Sequence, residues 1–278
     1  MAHQATGLTM RVTVLCDNTS SSPALGCEWG LALALEHNAA LWLWDTGQTD
    51  LFLSNAAALG IDPGAAAGLA LSHGHYDHTG GIPALLGRTR FTGNIYAHPD
   101  AVARRYHVPT DGSEKVREIS PPRRLPPFTS VVGMCRLAEG LTMHTSIPRT
   151  KGNFESTTNF FFDAEGARPD RVADDAFLVA DTNAGPVVVL GCCHGGLANS
   201  LTAMRERLGI EKVHAVLGGL HLYAAPDEAV AETAATLREF DVRLLAAGHC
   251  TGDTALEKLR RLFDGEVAPL SSGMVLNF

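Results

Sequence analysis

The chain is poor in charge and in aromatic residues: of its 278 residues, 19 % are Asp, Glu, Lys or Arg and 6 % are Phe, Trp or Tyr. With 45 % hydrophobic residues beside so little charge, it has material for a core, which excludes a disordered chain. No apolar run reaches the roughly eighteen residues of a membrane helix, so no membrane partner is expected. The opening MAHQATGLTM lacks the charged-then-apolar pattern of a secretion signal, and a cytoplasmic protein is expected. Positive charge is short as well. Twenty-two Lys and Arg against 30 Asp and Glu leave a net charge of −8, which offers nucleic acid no global attraction. The six cysteines, at 16, 27, 135, 192, 193 and 250, form no CxxC pair and are expected to be thiols. Phosphate loops, GxGxxG and GxSxG are all missing.

Histidine is the residue in good supply, with 12 copies unevenly placed. Most of the chain alternates short apolar runs with longer helical ones. Strands are expected at 11–16, 30–36, 39–44, 69–72, 186–190, 213–217 and 242–246, and helices at 50–59, 79–86, 198–208, 227–240 and 254–263. Val187 to Leu190 has no polar residue on either side, as in a strand covered on both faces. Strands followed by helices, with early hairpins, predict an α/β fold in which helices flank mixed sheets. Residues 107–130 stand apart, with Pro109, Pro121, Pro122, Pro126 and Pro127 among several arginines. That proline content excludes a central strand or an unbroken helix. The segment reads as a surface loop or as a rim carrying positive charge to an anionic substrate. No linker divides the chain, so residues 1–278 are expected to form one domain carrying this insertion.

The densest chemistry is Leu71-Ser72-His73-Gly74-His75-Tyr76-Asp77-His78-Thr79-Gly80-Gly81. In extended backbone His73 and His75 project to one side, whereas Asp77 and His78 lie beyond, where the chain turns. Imidazole and carboxylate suit zinc and other first-row divalent metals. Gly74, Gly80 and Gly81 allow close packing around the cluster. His194 and His249 each follow an expected strand. His221 does too, and substrate contact, proton transfer, ligation and a structural role all stay open for it. His144 reads as structural, and His3, His37, His98, His107 and His214 as surface or packing residues. Asp45 either orients a ligand histidine by a hydrogen bond or forms a turn before Gly47. The amides at 251–254 either cap a helix or receive a phosphate.

The HxHxDH run after a strand, with Asp45-Thr46-Gly47 upstream and the glycine-flanked His194 and His249 downstream, resembles the metallo-β-lactamase-fold superfamily. Leu15-Cys16-Asp17-Asn18, Ile147-Pro148-Arg149, Gly218-Gly219-Leu220-His221-Leu222 and Gly248-His249-Cys250-Thr251-Gly252 resemble its branch of dihydropterin aminobenzene ribofuranosyl-phosphate synthases. The resemblance implies an αββα sandwich of two mixed β-sheets. It further implies two divalent metals, zinc first with manganese or iron as alternatives. His73, His75 and His194 would hold one, and Asp77, His78 and His249 the other. Asp77 and His221 are the implied catalytic groups, and Arg149 and Lys151 implied anion contacts. The superfamily's usual bridging aspartate has no counterpart; Cys192, Cys193 and His194 occupy that stretch, and at most one of the two cysteines can face the metals. The expected activity is hydrolysis of a small ester, lactone or phosphoester. The alternatives are a lyase- or transferase-like synthase acting on a phosphorylated pterin precursor, and a metal-containing ligand-binding regulator without turnover.

Overall fold

Val187 and Val189 face one apolar cluster while Val188 and Leu190 face another, the two-residue alternation of a strand with both faces covered. The computed structural model, which describes residues 8–109, 115–152 and 154–278, builds its layers on this pattern. His3 and residues 110–114 of the proline-rich segment lie outside the described residues. One seven-stranded sheet runs in the order Val275–Asn277, Met10–Cys16, Ala32–His37, Ala40–Trp44, Gly68–Ala70, Asn94–Ala97 and Thr129–Ser130. The other runs Met134–Ala138, Leu141–His144, Phe177–Ala180, Val187–Leu190, Ala215–Gly218, Leu244–Ala247 and Glu266–Pro269. In each sheet the first four strands are antiparallel and the remainder continue in parallel.

The cluster between the sheets joins Val14, Leu33 and Trp44 of one to Leu178, Val189 and Leu217 of the other. Outside the first sheet lie the helices Leu51–Ala58 and Ile82–Arg88, contributing Phe52, Ile82 and Leu85. Leu197–Leu208, Asp227–Glu239 and Asp253–Leu262 cover the second through Leu201, Met204, Leu237 and Leu259. The result is the expected αββα sandwich.

Two local expectations change. The helix expected at 79–86 is two helices, Tyr76–Thr79 and Ile82–Arg88. At the break, Gly80 and Gly81 pass so close to the carbonyls of Gln48 and Thr46 that a Cβ would sit 2.1 and 2.3 Å from them. In a third, three-stranded sheet Tyr106–His107 pairs with Phe160–Phe161 on one side and with Arg117–Glu118, around the proline-rich segment, on the other. The prolines themselves stay out of central strands, and Thr129–Ser130 takes an edge. Among the described residues no helix is long and apolar enough to cross a membrane, and all six cysteines are free.

Candidate metal centre

The central strands of both sheets end at a common place. Trp44 Nε1 donates to the Leu190 carbonyl at 3.0 Å, linking the ends of the strands Ala40–Trp44 and Val187–Leu190 inside the core. The loops that follow carry Asp45, residues 72–78, His194, His221 and His249. Close contact between the sheets is built in, since a Cβ on Gly191 would lie 2.2 Å from the Ser72 side chain.

His73, His75 and His194 are buried and bring one ligand atom each within 4.8 Å of the others; Asp77, His78 and His249 do the same. In the first group His73 Nε2 lies 3.0 Å from His75 Nδ1. His75 Nε2 and both ring nitrogens of His194 are buried without a hydrogen-bond partner among the described residues. In the second, His78 Nε2 and His249 Nε2 are 3.2 Å apart, and Asp77 Oδ2 is 3.4 Å from His249 Nε2 and 3.9 Å from His78 Nε2. A tetrahedral metal with bonds of about 2.0–2.1 Å spaces its ligand nitrogens by about 3.3 Å. The 3.0–3.4 Å separations of these facing atoms fit joint coordination of a divalent cation, and the unpartnered buried nitrogens of His75 and His194 would otherwise carry a desolvation cost with nothing to offset it.

Electrostatics treat the two groups differently. Burial, reinforced by the neighbouring histidines, holds His73, His75 and His194 well below the usual imidazole range, so they are neutral and ready to donate a lone pair. For His78 burial works downward, but the Asp45 and Asp77 carboxylates overcome it and push the ring up to about 9. Asp77 is raised by burial and lowered more strongly by His78 and His249, ending below its ordinary value.

Surrounding groups aim these side chains. Asp45, at φ 60°, accepts from the Ser72 amide at 2.7 Å and the Ser72 hydroxyl at 2.6 Å. Its Oδ2 is also 2.7 Å from His78 Nδ1, which leaves Nε2 for the centre. The orienting role considered for Asp45 therefore matches its geometry. Asn18 does the same for His249, with Oδ1 3.0 Å from Nδ1 and its amide donating to the His249 carbonyl. It lies in the Cys16-Asp17-Asn18 stretch, and its position there was the only signal available in the sequence.

The adjacent carboxylates Asp174 and Asp175 had no such signal. Asp174 Oδ2 accepts from the Gly74 amide at 2.7 Å, and Asp175 Oδ2 from the Gly195 amide at 2.6 Å. One dipeptide thus holds both histidine loops. Arg105, fully buried, pairs with Asp174 at 2.6 Å and Asp170 at 3.2 Å.

A cavity of about 560 Å³ opens over His75, Asp77, His221 and His249. Phe160 packs edge-on against His75 and His194, with ring centres 4.9 and 5.5 Å away, and Trp29 lies 5.2 Å from His249. His221, at φ 49°, borders the cavity with its ring 4.4 Å from that of His194. The two adjacent cysteines lie past the end of the strand and point apart, Cys193 taking φ 56°. Cys192 Sγ lies 3.1 Å from His78 Nε2, and Cys193 turns to Ser200 at 3.8 Å and the helix-side core.

Other candidates fall elsewhere. Arg149 is drawn away to Glu155, at 3.2 Å, and to the carbonyls of Arg171 and Val172. Lys151 is exposed beside a smaller recess next to His194, its amide donating to Asn199 Oδ1. Arg117 and His107, from the proline-rich segment, line the main cavity beside His75, His221 and His249, and His107 packs against Phe160. His144 is buried and stacked on Phe177, away from this cavity.

The comparisons with known proteins bear on the fold and the family. A relative from Methanocaldococcus jannaschii, 7,8-dihydropterin-6-methyl-4-(beta-D-ribofuranosyl)-aminobenzene-5'-phosphate synthase, is 27 % identical over 257 residues, covering 85 % of this chain and 84 % of its own. The crystal structure of Tm1679, described as a metal-dependent hydrolase of the beta-lactamase superfamily, has a TM-score of 0.81 at 28 % identity, covering 96 % of this chain and 98 % of that one. The metallo-beta-lactamase fold protein YhfI from Bacillus subtilis, at 16 % identity and a TM-score of 0.59, covers 97 % and 99 % and shares the fold. The family model of the metallo-beta-lactamase superfamily matches residues 30–168, which span Asp45 and the whole HxHxDH run. The chain belongs to the metallo-beta-lactamase superfamily.

Proposed function

We propose that this protein is a metal-dependent hydrolase of a small ester, lactone or phosphoester. The observation that carries the reading is the pair of adjoining ligand groups, His73/His75/His194 and Asp77/His78/His249, on the floor of a solvent-reached cavity. Two divalent metals, zinc by the imidazole-rich donor set, would supply Lewis acidity there and lower the pKa of water toward neutrality. The remaining work belongs to the chain. Asp77 faces the cavity and is placed to orient water or take its proton. His221, with Nδ1 buried and unpartnered among the described residues, is placed to protonate a leaving group. Phe160 and Trp29 wall the reaction from bulk solvent, and Arg117 offers charge to an anionic substrate.

A second reading, a synthase acting on a phosphorylated pterin precursor, has its own support. Trp29, Phe154 and Tyr223 stand 46 %, 38 % and 59 % exposed around the cavity, where they can stack a planar ring, and Arg117 can meet a phosphate. The similarity to the Methanocaldococcus synthase adds weight.

Metal analysis of the purified protein, followed by a screen of ester, lactone and phosphodiester substrates, tests the first reading. Turnover that His75→Ala abolishes is expected. Fully metallated protein without any such activity would sink the hydrolase reading, and saturable turnover of a phosphorylated pterin would establish the second.

A further inference from the structure

We infer that Asp175 is a positioning residue for the first metal, the one held by His73, His75 and His194, and that the second metal does not depend on it; this rests on the dinuclear reading above. The two ligand groups are aimed by different devices. In the second, side chains hold the rings themselves: Asp45 Oδ2 lies 2.7 Å from His78 Nδ1, and Asn18 Oδ1 lies 3.0 Å from His249 Nδ1. In the first, His73 has such a partner in the Ser72 hydroxyl, 2.9 Å from its Nδ1. Among the described residues no hydrogen bond holds His75 Nε2 or either nitrogen of His194. Phe160 packs edge-on against both rings but fixes no nitrogen. The backbone that carries these two rings therefore has to set their direction.

Two adjacent carboxylates hold that backbone. Asp174 Oδ2 accepts from the Gly74 amide at 2.7 Å, between His73 and His75, and Asp175 Oδ2 from the Gly195 amide at 2.6 Å, directly after His194. The two loops differ in what else restrains them. Gly74 is pressed against Ala101, whose carbonyl oxygen would lie 2.2 Å from a Cβ. The His194 loop instead runs from Cys193, at φ 56°, into Gly195 and Gly196, at φ 84°. Glycine has the widest choice of backbone states, so this loop needs an outside tether to keep one. Asp175 fixes the peptide that joins His194 to Gly195, and Asn199 Nδ2 holds the next carbonyl at 2.8 Å. Asp175 is 2 % exposed, and its Oδ1 has no partner among the described residues. A carboxylate buried with one oxygen unpaired costs stability, and packing gives no reason for it; holding the His194 loop does.

The test is a zinc competition titration of the full-length protein against a chromophoric chelator, run in two backgrounds that each keep one ligand group. His249→Ala leaves the first group intact, and His194→Ala the second. Asp175→Ala is expected to weaken zinc binding about 10- to 100-fold in the His249→Ala background and to leave the His194→Ala background unchanged. Asp175→Asn keeps an oxygen for the Gly195 amide and is expected to restore the affinity in the first background, as a general loss of packing would not predict. Equal weakening in both backgrounds, no weakening in the first, or failure of Asp175→Asn to restore it overturns the inference and leaves the dinuclear reading standing. A wild type that binds fewer than two zinc ions, or a His249→Ala protein that binds none, overturns both. Should Asp175→Ala not fold, Asp175→Ser, whose hydroxyl is one bond shorter in reach, is read in the same way.

Discussion

Asp45 and Asn18 show how single residues prepare the centre. Each accepts a hydrogen bond from Nδ1 of one histidine and so points its Nε2 at the other ring, His78 from one sheet and His249 from the other. Outer partners of this kind are worth about 10- to 100-fold in metal affinity. Asp45→Asn keeps a residue tolerant of the left-handed conformation at φ 60° while removing the carboxylate. Asn18→Ala removes the other acceptor. Both variants are expected to bind zinc about 10- to 100-fold more weakly in a competition assay with a chromophoric chelator. Unchanged affinity would show that neither ring depends on its partner.

At the scale of elements, the loops are held by a buried ionic cluster whose parts lie far apart in sequence. Arg105 precedes the strand Tyr106–His107, and Asp170 and Asp174 precede the strand Phe177–Ala180. Removing one partner strands the others in the interior, so Arg105→Met is expected to destabilise by about 3–5 kcal/mol, read as a lower urea midpoint. The strand Leu141–His144 carries a pH dependence of its own. Burial, with a smaller effect from Arg207, depresses His144 from 6.5 to about 4, and its ring stacks on Phe177 at 4.8 Å. Between those values the unfolded chain binds a proton that the native protein refuses, so stability is lost as pH falls through this window. The stability advantage of the wild type over His144→Gln is therefore expected to shrink on acidification from about 6.5 toward about 4 in unfolding titrations. A constant difference across that range would contradict the assignment.

For the whole molecule, the sandwich and the site are one construction. The two sheets meet through an apolar cluster, and at the site end Trp44 Nε1 bonds the Leu190 carbonyl across them. Trp44→Phe would leave that buried carbonyl without its partner, at a cost of about 1–3 kcal/mol. A lower thermal midpoint is expected together with weaker metal retention, because the same contact sets the spacing of the Asp45 and His194 loops. Loss of stability with metal affinity intact would separate the core from the centre.

The candidate ligand residues and most of the central strands were legible in local pattern. His73, His75, Asp77 and His78 fall within six positions, and runs such as Val187–Leu190 declare burial by composition. Short, half-exposed strands such as Met134–Ala138 and Glu266–Pro269 carry no such pattern, since pairing with neighbours holds them in place. Tertiary structure alone decided which of two adjacent cysteines faces the histidines, that Arg149 is spent on Glu155, and that Arg117 reaches the cavity. It also brought Asp174 to Gly74, 100 residues apart, and Asn18 to His249, 231 apart. Periodicity and ligand spacing are properties of neighbours along the chain. Orientation and charge pairing depend on groups that only folding brings within a few ångströms.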